Sequence, residues 1–429
     1  MRMILFVIAA ALAYAQSRPI VIKAARMFDG VSDRVVSPGL VVVLGEKIRG
    51  VGARAEIPTG SEVIDLGDAT ILPGFMDAHT HLTMAYELDF RKQQMDTLTK
   101  TVAEQALDAS VNARVTLMAG FTSVRDVGST EFLDVGLRNA IASGKIPGPR
   151  MLVAVNAIGA TGGHCDNAAG FKYGLFGRES GIPDGVANGP DQMRLAVRFN
   201  IKYGADVIKT CATGGVLSLT DDVDTPQLTQ AELDAMVDEA HALRRKTAAH
   251  AHGAAGAKRA IKAGIDSIEH GSFLDDDALD MMKARGTYYV PTMMAAQGLR
   301  EVLEKGYLPP QIAAKARAAM AALDQTVAKA ISKNIKIALG TDAAVYPHGR
   351  NPEEFAQMVR VGMKPIDALK SGTSTDAQLL GLFEKTGSLE AGKWADIVAV
   401  PGNPVEDIHA TEKVMFVMKE GTVFKNGKQ

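Results

Sequence analysis

Cysteine, aromatic side chains and net charge are all scarce in this chain of 429 residues. Two cysteines cannot staple a chain of this length, so a disulfide scaffold is excluded. Aromatic residues make up 5% of the chain, with one Trp, so the core must rest on aliphatic, Ala and Gly packing. A formal charge of −2 supplies no attraction to nucleic acid or to an anionic membrane. We therefore expect neither nucleic acid nor a membrane among the partners.

Apolar residues are plentiful, at 47% against 22% charged. That balance is ordinary for a soluble globular protein and rules out intrinsic disorder. Length alone suggests two or three domains, although an α/β barrel commonly uses ~250 residues as one domain. The composition predicts a soluble, enzyme-sized α/β protein.

The first 15 residues, MRMILFVIAAALAYA, have the layout of a secretory signal peptide. Arg2 supplies a positive start, Met3–Leu12 an apolar stretch, and Ala13-Tyr14-Ala15 a small-x-small cleavage site. The apolar run is too short to span a bilayer, which needs about 20 residues. The alternative is a buried N-terminal strand or helix. We expect the mature protein to be exported, periplasmic or secreted.

Both ends of the remaining chain consist of short β runs separated by turn residues. Near the start they include Ile20–Ala24 and Leu40–Leu44, and near the end Ala395–Val400 and Val414–Lys419. Two β-rich ends around a different middle predict one composite β-sandwich domain from residues 19–70 plus 386–427.

The middle, residues 71–385, alternates apolar runs with helical patterns, which predicts a (β/α)8 TIM-type barrel. Three helices are expected at Thr229–Arg245, Ala254–Ala263 and Gln311–Lys333. A doubly wound open sheet is the alternative, but no Gly-rich phosphate fingerprint follows the first strand. The eight predicted strands are Ile71–Ala78, Thr122–Val127, Arg150–Val155, Ala205–Thr210, Thr247–His252, Ser267–His270, Thr287–Pro291 and Ile335–Thr341.

Histidines gather at the ends of these strands. His79 and His81 end the first strand, and His250 and His252 repeat that spacing at the end of the fifth. Side chains at i and i+2 of a strand point the same way, so the two imidazoles of each pair can bind one metal ion. His270 ends the sixth strand and Asp342 follows the eighth, where each by itself could equally be a core or capping residue. Together these six residues at the catalytic rim of a barrel predict a divalent metal site.

Lys209 ends the apolar strand Ala205–Thr210 and should point into the same site. It could instead reach solvent or pair with Asp342. Burial beside metal ions would favour the neutral amine, which can react with carbon dioxide to give a carbamate. Such a carbamate could bridge two metals.

The set of motifs resembles the amidohydrolase superfamily. The matching segments are ILPGFMDAHTHL at 71–82, GADVIKT at 204–210, AAHAHG at 248–253, SIEHG at 267–271, LGTDA at 339–343 and GSLEAGKWADIVAV at 387–400. The resemblance implies the barrel with a composite sandwich and two zinc ions per chain. His79, His81 and Asp342 would hold one zinc, His250 and His270 the other, and carbamoylated Lys209 would bridge them. Spacing within the family favours His250 over His252, which geometry alone does not separate.

Within the superfamily the chain looks most like the imidazolonepropionase-related branch, which contains prolidase-type carboxypeptidases and ochratoxinase. Lys209 argues against imidazolonepropionase itself, which lacks a bridging lysine. The segment ATGGH at 160–164 also matches this branch, although a Gly-Gly-His turn has a plain structural interpretation. The resemblance makes His164 and His252 candidates to stabilise the oxyanion or a substrate carboxylate, and Asp342 the residue that transfers the proton to the leaving nitrogen.

The two cysteines and one aspartate-rich segment have a structural interpretation. Cys165 and Cys211 follow His164 and Lys209 closely, so a zinc ligand or a disulfide is conceivable, but two packed free thiols are expected. The segment Leu217–Thr225 is expected to be a loop over the site whose three aspartates form a solvated charge cluster.

These observations predict a zinc-dependent enzyme that cleaves the amide bond of a small N-acyl amino acid or dipeptide and releases a C-terminal amino acid. Ochratoxin-type amides of phenylalanine fall within this class by resemblance. One alternative is a cyclic amide or lactone hydrolase with the same metals, and another is a non-catalytic metal-binding or peptide-binding barrel. The expected partner is a small-molecule amide or dipeptide, and the resemblance implies a homo-oligomer.

Overall fold

The structure is a computed structural model that describes residues 18–427. The predicted signal peptide, residues 1–15, lies outside the described residues. The strands are β1 (Ile20–Ala24), β2 (Arg26–Met27), β3 (Gly39–Leu44), β4 (Lys47–Val51), β5 (Glu62–Asp65), β6 (Ala69–Pro73), β7 (Phe75–Thr80), β8 (Phe121–Asp126), β9 (Arg150–Val153), β10 (Ala157–Ile158), β11 (Val207–Cys211), β12 (Lys246–Gly253), β13 (Ser267–Phe273), β14 (Tyr288–Val290), β15 (Ile397–Pro401), β16 (Phe416–Lys419) and β17 (Thr422–Asn426).

Helices fill most of the segments between the later strands. They are α1 (Phe90–Thr99), α2 (Val102–Met118), α3 (Leu133–Ala142), α4 (Pro190–Lys202), α5 (Gln230–Ala242), α6 (Ala254–Ala263), α7 (Asp276–Arg285), α8 (Met293–Glu304), α9 (Pro310–Ser332), α10 (Glu353–Arg360), α11 (Pro365–Lys370) and α12 (Asp376–Leu379), with short 3-10 turns at Ile182–Asp184 and Ile408–Lys413 and a π turn at Ser371–Thr375. Within residues 18–427, none of these helices combines the length and the apolar character that crossing a bilayer requires.

The predicted helices form, and their ends follow from local chemistry. Helix α5 begins after Thr229, whose hydroxyl accepts from the Glu232 backbone N–H while the Glu232 carboxylate accepts from the Thr229 N–H at 2.7 Å. This reciprocal capping satisfies two N–H groups that a helix start leaves free. Helix α6 ends at Gly264, whose φ of 97° is left-handed and suits glycine at a helix C-terminus.

Two small sheets are built from the ends of the chain. One has the strand order β4-β3-β1-β5 and the other β17-β16-β15-β6-β2. Alternate residues of β3 face opposite sides, because Val41 and Val43 belong to one apolar cluster while Val42 belongs to another. The first cluster also contains Ile397 and Phe416 of the second sheet, so the two sheets share an apolar core.

The middle of the chain is α/β, with two parallel sheets. One has the order β7-β8-β9 and the other β10-β11-β12-β13-β14. Residues 337–343 lie between β14 and β7, with single parallel bridges from Ile337 to Tyr289 and from Ala343 to Thr80. Gly340 permits close packing in this segment, because a Cβ there would lie 2.2 Å from a Val290 methyl.

Two predicted strands differ from those observed. The expected eighth strand, Ile335–Thr341, forms no continuous ladder among the described residues, and only single bridges connect it to its neighbours. The expected first strand, Ile71–Ala78, is wrong as one element, because Gly74 divides it into β6 and β7, which belong to different sheets. Pro73-Gly74 was the available signal for a break, but burial gives none, since both strands are buried.

Candidate metal centre

His79, His81 and Asp342 meet at the carboxyl end of β7. Asp342 Oδ1 lies 3.5 Å from His79 Nε2 and 3.4 Å from His81 Nε2. Two ligands of one tetrahedral zinc, each about 2.1 Å from the ion, lie about 3.4 Å apart. The spacing therefore suits ligands of a single ion. Ligand atoms of His79, His270 and Asp342 also lie within 4.8 Å of one another.

Four further histidines pack against this group. His250 and His252 lie in β12 and His270 lies in β13. The His270 ring centroid is 4.8 Å from that of His79, 4.6 Å from that of His250 and 5.0 Å from that of His252. His164 comes from the loop after β10, and its ring lies 4.2 Å from that of His250. The structure thus brings every predicted histidine into one cluster.

Each of the four histidines predicted to bind metal, and His252 beside them, has one ring nitrogen occupied by the protein. Nδ1 of His79 meets the Glu269 carboxylate at 2.8 Å, and Nδ1 of His81 meets the Gly128 carbonyl at 3.1 Å. The remaining contacts are His250 Nε2 to the Gly214 carbonyl at 3.1 Å, His270 Nδ1 to Thr292 Oγ1 at 2.7 Å and His252 Nδ1 to Ser272 Oγ at 3.0 Å. Such contacts orient an imidazole and leave the other nitrogen for a metal, although for His252 the resemblance assigns no metal.

The other ring nitrogen of His79, Nε2, is the atom whose surroundings bear most directly on metal binding. His79 Nε2 is buried and has no hydrogen-bond partner in the described structure. A buried polar atom without a partner is costly, and a metal ion would satisfy it. The donor set of imidazoles and one carboxylate is the type that zinc prefers, so the residues present fit a divalent metal.

The electrostatics favour neutral imidazoles beside an ionised carboxylate. Burial lowers the pKa of His79 to about 4 and that of His252 to about 3, and it holds those of His250 and His270 well below the usual value. For Asp342, burial would raise the pKa, but the interactions with the neighbouring His79 and His81 outweigh burial and lower the pKa. His81 differs, because burial would lower its pKa but the hydrogen bond and the charge of Asp342 outweigh burial and raise it. Metal ligands must be deprotonated, and the lowered pKa values of the other four histidines and of Asp342 favour that form.

Lys209 lies in β11 with only 3% of its surface exposed, so it does not reach solvent. Burial lowers the pKa of its ammonium to about 8, although the charges of Glu269 and Asp342 act in the opposite direction. At pH 7 that value leaves about a tenth of the lysine neutral, far more than for an ordinary lysine.

Backbone strain is also present at this site. His270, Thr292 and Asp342 all have left-handed φ values, of 67°, 49° and 57°. Thr292 is the residue that contacts His270 Nδ1. Left-handed backbone at residues other than glycine costs of order 1–3 kcal/mol and persists where surrounding contacts enforce it, which is common at functional sites.

Sequence reasoning missed the buried residues that hydrogen-bond to the predicted metal ligands and to the segments that carry them. Glu269 joins His79 to Arg125, whose Nη2 donates to Glu269 Oε1 at 2.8 Å, and both side chains are fully buried. Asp77 accepts from the backbone N–H of His79 and from the Thr341 hydroxyl at 2.6 Å, which ties β7 to the segment that carries Asp342. A charged residue inside an apolar strand was the available signal.

The expectation of two free thiols is wrong. Cys165 and Cys211 form a disulfide, with Cα atoms 5.9 Å apart, and no free cysteine remains. The loop that carries His164 folds back on the end of β11, which brings together two residues 46 positions apart. Nothing in the spacing of two isolated cysteines indicates that approach.

The segment Leu217–Thr225 lies beside His164, as expected of a loop at the site. Asp222 and Asp224 are exposed, in accord with a solvated charge cluster. Asp221 departs from that expectation, because its side chain is 7% exposed and pairs with Lys315 of α9.

Comparison with known proteins places this cluster in a family. The sequence profile of the amidohydrolase family matches residues 70–429. An ochratoxinase from Aspergillus niger is 31% identical over 444 aligned positions, which cover 96% of this chain and 90% of that protein. An imidazolonepropionase from Pseudomonas entomophila is 26% identical over 399 positions, which cover 85% of this chain and 88% of that protein.

Solved structures agree. A Xaa-Pro dipeptidase with methionine bound in its active site superposes with a TM-score of 0.89 at 41% identity, covering 95% of this chain and all of that one (100%). The ochratoxinase of A. niger superposes with a TM-score of 0.83 at 30% identity, covering 96% of each chain. The predicted superfamily and branch are confirmed. The chain belongs to the amidohydrolase family and is a hydrolytic enzyme.

Proposed function

We propose that this enzyme hydrolyses the amide bond of a small N-acyl amino acid or dipeptide and releases the C-terminal amino acid. The observation that carries the proposal is the convergence of the buried histidines and Asp342, with His79 Nε2 left without a partner. Similarity along almost the whole chain to an ochratoxinase and to a Xaa-Pro dipeptidase supports the same class of bond. Ochratoxin-type amides of phenylalanine are included in the proposal.

Two zinc ions per chain are the proposed cofactors. His79, His81 and Asp342 would hold one ion and His250 and His270 the other, with Lys209, as a carbamate, shared between them. When bound, such ions lower the pKa of water towards ~7 and polarise a carbonyl oxygen. The low exposure of Lys209 and its lowered pKa support the carbamate, because only the neutral amine reacts with carbon dioxide.

The protein's own groups divide the remaining work. Asp342 is ionised and adjoins His79 and His81, so it can accept a proton from the attacking water and pass it to the leaving nitrogen. His252 and His164 border the cluster and are proposed to contact polar groups of the substrate. A single well-placed hydrogen bond to a developing oxyanion contributes ~3 kcal/mol.

The central test is a substrate panel on zinc-loaded enzyme and on enzyme stripped by a chelator. N-acyl amino acids, Xaa-Pro, Xaa-Phe and Xaa-Arg dipeptides and an ochratoxin-type amide are compared with cyclic amides and lactones. Release of a free C-terminal amino acid, lost on stripping and restored by zinc, is expected. Turnover restricted to cyclic substrates would favour the alternative hydrolase, and no turnover of any of these compounds by zinc-loaded enzyme would reject the proposed substrate class.

Substitution of Asp342 and Lys209 separates proton transfer from metal binding. Asp342→Asn should abolish turnover while most zinc remains bound. Lys209→Ala should lose zinc and activity together, with partial recovery when short carboxylic acids replace the carbamate. Unchanged turnover of Asp342→Asn would remove Asp342 from the mechanism.

Three further expectations complete the proposal. Export is supported by the disulfide, since disulfides persist in oxidising compartments. N-terminal sequencing of the mature protein should begin at Gln16.

Parallel bridges at Tyr289 and Thr80 support closure of the two parallel sheets into an eight-membered barrel spanning 71–385, beside the composite domain 19–70 plus 386–427. A homo-oligomer should be visible by light scattering.

A further inference from the structure

His164 is held by the loop that follows β11. Its backbone N–H donates to Gln227 Oε1 at 2.9 Å, and its Nδ1 lies 3.2 Å from Ser218 Oγ. The ring also packs on Gly215, where a Cβ would lie 2.2 Å from His164 Nδ1. The loop that follows β11 therefore holds the His164 imidazole in a single position.

Asp221 connects both of these contacts. Its Oδ1 accepts from Ser218 Oγ at 2.6 Å, and its Oδ2 accepts from Gln227 Nε2 at 2.8 Å. Lys315 of α9 secures the loop from outside, since its Nζ donates to the carbonyls of Gly215 at 2.7 Å and Ser218 at 2.6 Å. Lys315 Nζ also lies 3.3 Å from Asp221 Oδ1.

The direction of the hydrogen bonds in this network follows from the donors available. Ser218 Oγ has a single hydrogen and two neighbours that only accept, Asp221 Oδ1 and the Gly215 carbonyl at 3.1 Å. Because the hydrogen goes to one of these, Ser218 meets His164 with a lone pair. His164 Nδ1 must then carry the hydrogen, and Nε2 of the neutral ring is left bare.

The bare nitrogen is available to a ligand. His164 is partly exposed, and its Nε2 makes no hydrogen bond with any residue in 18–427. The ring adjoins His250, so Nε2 lies at the border of the metal cluster. A bare imidazole nitrogen accepts a hydrogen bond, whereas an oxyanion needs a donor.

We propose that Asp221 and Ser218 are positioning residues that fix the tautomer of His164, so that His164 meets the substrate through Nε2 as a hydrogen-bond acceptor for an N–H group. The inference rests on the proposed amide hydrolysis for its substrate, but the geometry of the ring is independent of it. It assigns His164 to the N–H of a secondary scissile amide, a contact that a Xaa-Pro bond cannot make because it has no N–H, and it leaves stabilisation of the oxyanion to other groups.

The first measurement reads the tautomer directly. Full-length, zinc-loaded enzyme with ¹⁵N-labelled histidine is examined by long-range ¹H–¹⁵N correlation spectroscopy, and His164 is assigned by comparison with His164→Gln. Hydrogen on Nδ1 is expected, with loss of that pattern in Ser218→Ala. A ring with its hydrogen on Nε2 would overturn the proposal. No turnover is needed, so this result stands even if the proposed substrates fail.

The second measurement is kinetic and uses matched variants. Ser218→Ala should lower kcat/KM for a secondary amide by about 10- to 100-fold, the range seen when an orienting partner of a functional histidine is removed. Ser218→Thr keeps the hydroxyl and should recover most of the loss. Thr225→Ala removes an exposed hydroxyl of the same loop that bonds to the Asp222 carbonyl within that loop, and it should behave as wild type.

Asp221→Asn tests the carboxylate without changing its shape. The new amide would place an N–H group either against Gln227 Nε2 or against Lys315 Nζ and the Gly215 N–H, so in each orientation two donors face one another. The loop that holds His164 is thereby weakened, and kcat/KM should fall as in Ser218→Ala. Asp222→Asn changes the exposed neighbouring acid and is the control. Equal activity of Asp221→Asn, Ser218→Ala and both controls, with equal zinc content, would show that neither residue positions His164.

Discussion

Replacement of Glu269 by Gln should weaken folding and metal binding together. Glu269 accepts from Arg125 Nη2 on one oxygen and from His79 Nδ1 on the other, both at 2.8 Å. Gln has the same shape but only one oxygen, so it cannot accept from both partners. It also has no charge to neutralise the guanidinium.

The size of the effect follows from burial. Arg125 is 1% exposed, so in Glu269→Gln a buried charge loses its partner, which costs about 3–5 kcal/mol. If the Gln oxygen faces Arg125, its NH₂ faces His79 Nδ1 and drives the hydrogen of that ring to Nε2. Nε2 is the atom that lies 3.5 Å from Asp342, so zinc affinity should fall about 10- to 100-fold.

Urea unfolding of metal-free protein and zinc titration against a chromophoric chelator measure the two effects. Glu420→Gln is the matched control, because Glu420 pairs with Arg150 at 2.6 Å but is 38% exposed, and Asp396 also holds Arg150. It should cost under about 1 kcal/mol and leave zinc affinity unchanged. The reasoning is refuted if Glu269→Gln unfolds within about 1 kcal/mol of wild type and binds zinc equally well.

Three other predictions concern acid stability, packing and the disulfide. Burial would raise the pKa of Glu269, but the charge of Arg125 and the hydrogen bond from His79 lower it from 4.5 to about 2. The stabilisation by Glu269 is therefore complete above pH 4.5 and is lost as the pH falls towards 2. The urea midpoints of wild type and Glu269→Gln should converge over that range, and a constant difference would contradict the assignment. Gly215→Ala should displace His164 and lower kcat/KM without loss of zinc. Gly136→Ala is the control, because a Cβ there meets nothing within 4 Å, and it should leave kcat/KM unchanged. Equal kinetics of the two variants would reject the steric argument. Reduction of Cys165–Cys211, which encloses 46 positions, should lower the free energy of unfolding by about 4 kcal/mol in the chain-entropy treatment, and denatured, unreduced protein should show no titratable thiol.

The cluster of histidines and Asp342 could be predicted because it depends on local periodicity and one topological rule. Side chains two positions apart on a strand share a face, which makes His79 and His81 one unit and His250 and His252 another. In a parallel α/β fold the carboxyl ends of successive strands meet at one edge. Those two facts bring residues as far apart as His79 and Asp342 together without any knowledge of their contacts.

The same reasoning failed where a role depends on a partner distant in sequence. Glu269 reads as an isolated acid in an apolar strand, and its partner Arg125 is 144 positions away. Asp221 reads as one of three solvated acids, and only the approach of Lys315 from α9, 94 positions on, separates it from Asp222. Neither distance is encoded in a local pattern.

By itself the sequence determined the α/β class, the helices whose capping residues are local, and the type of residue at each strand end. Alternation and capping act over a few residues, so they can be read from neighbours in the chain. Tertiary structure alone decided which nitrogen of each histidine is free, which acids are buried, and that Cys165 reaches Cys211. Those properties depend on burial and on the direction of hydrogen bonds between segments, and neither exists until the strands and loops have packed.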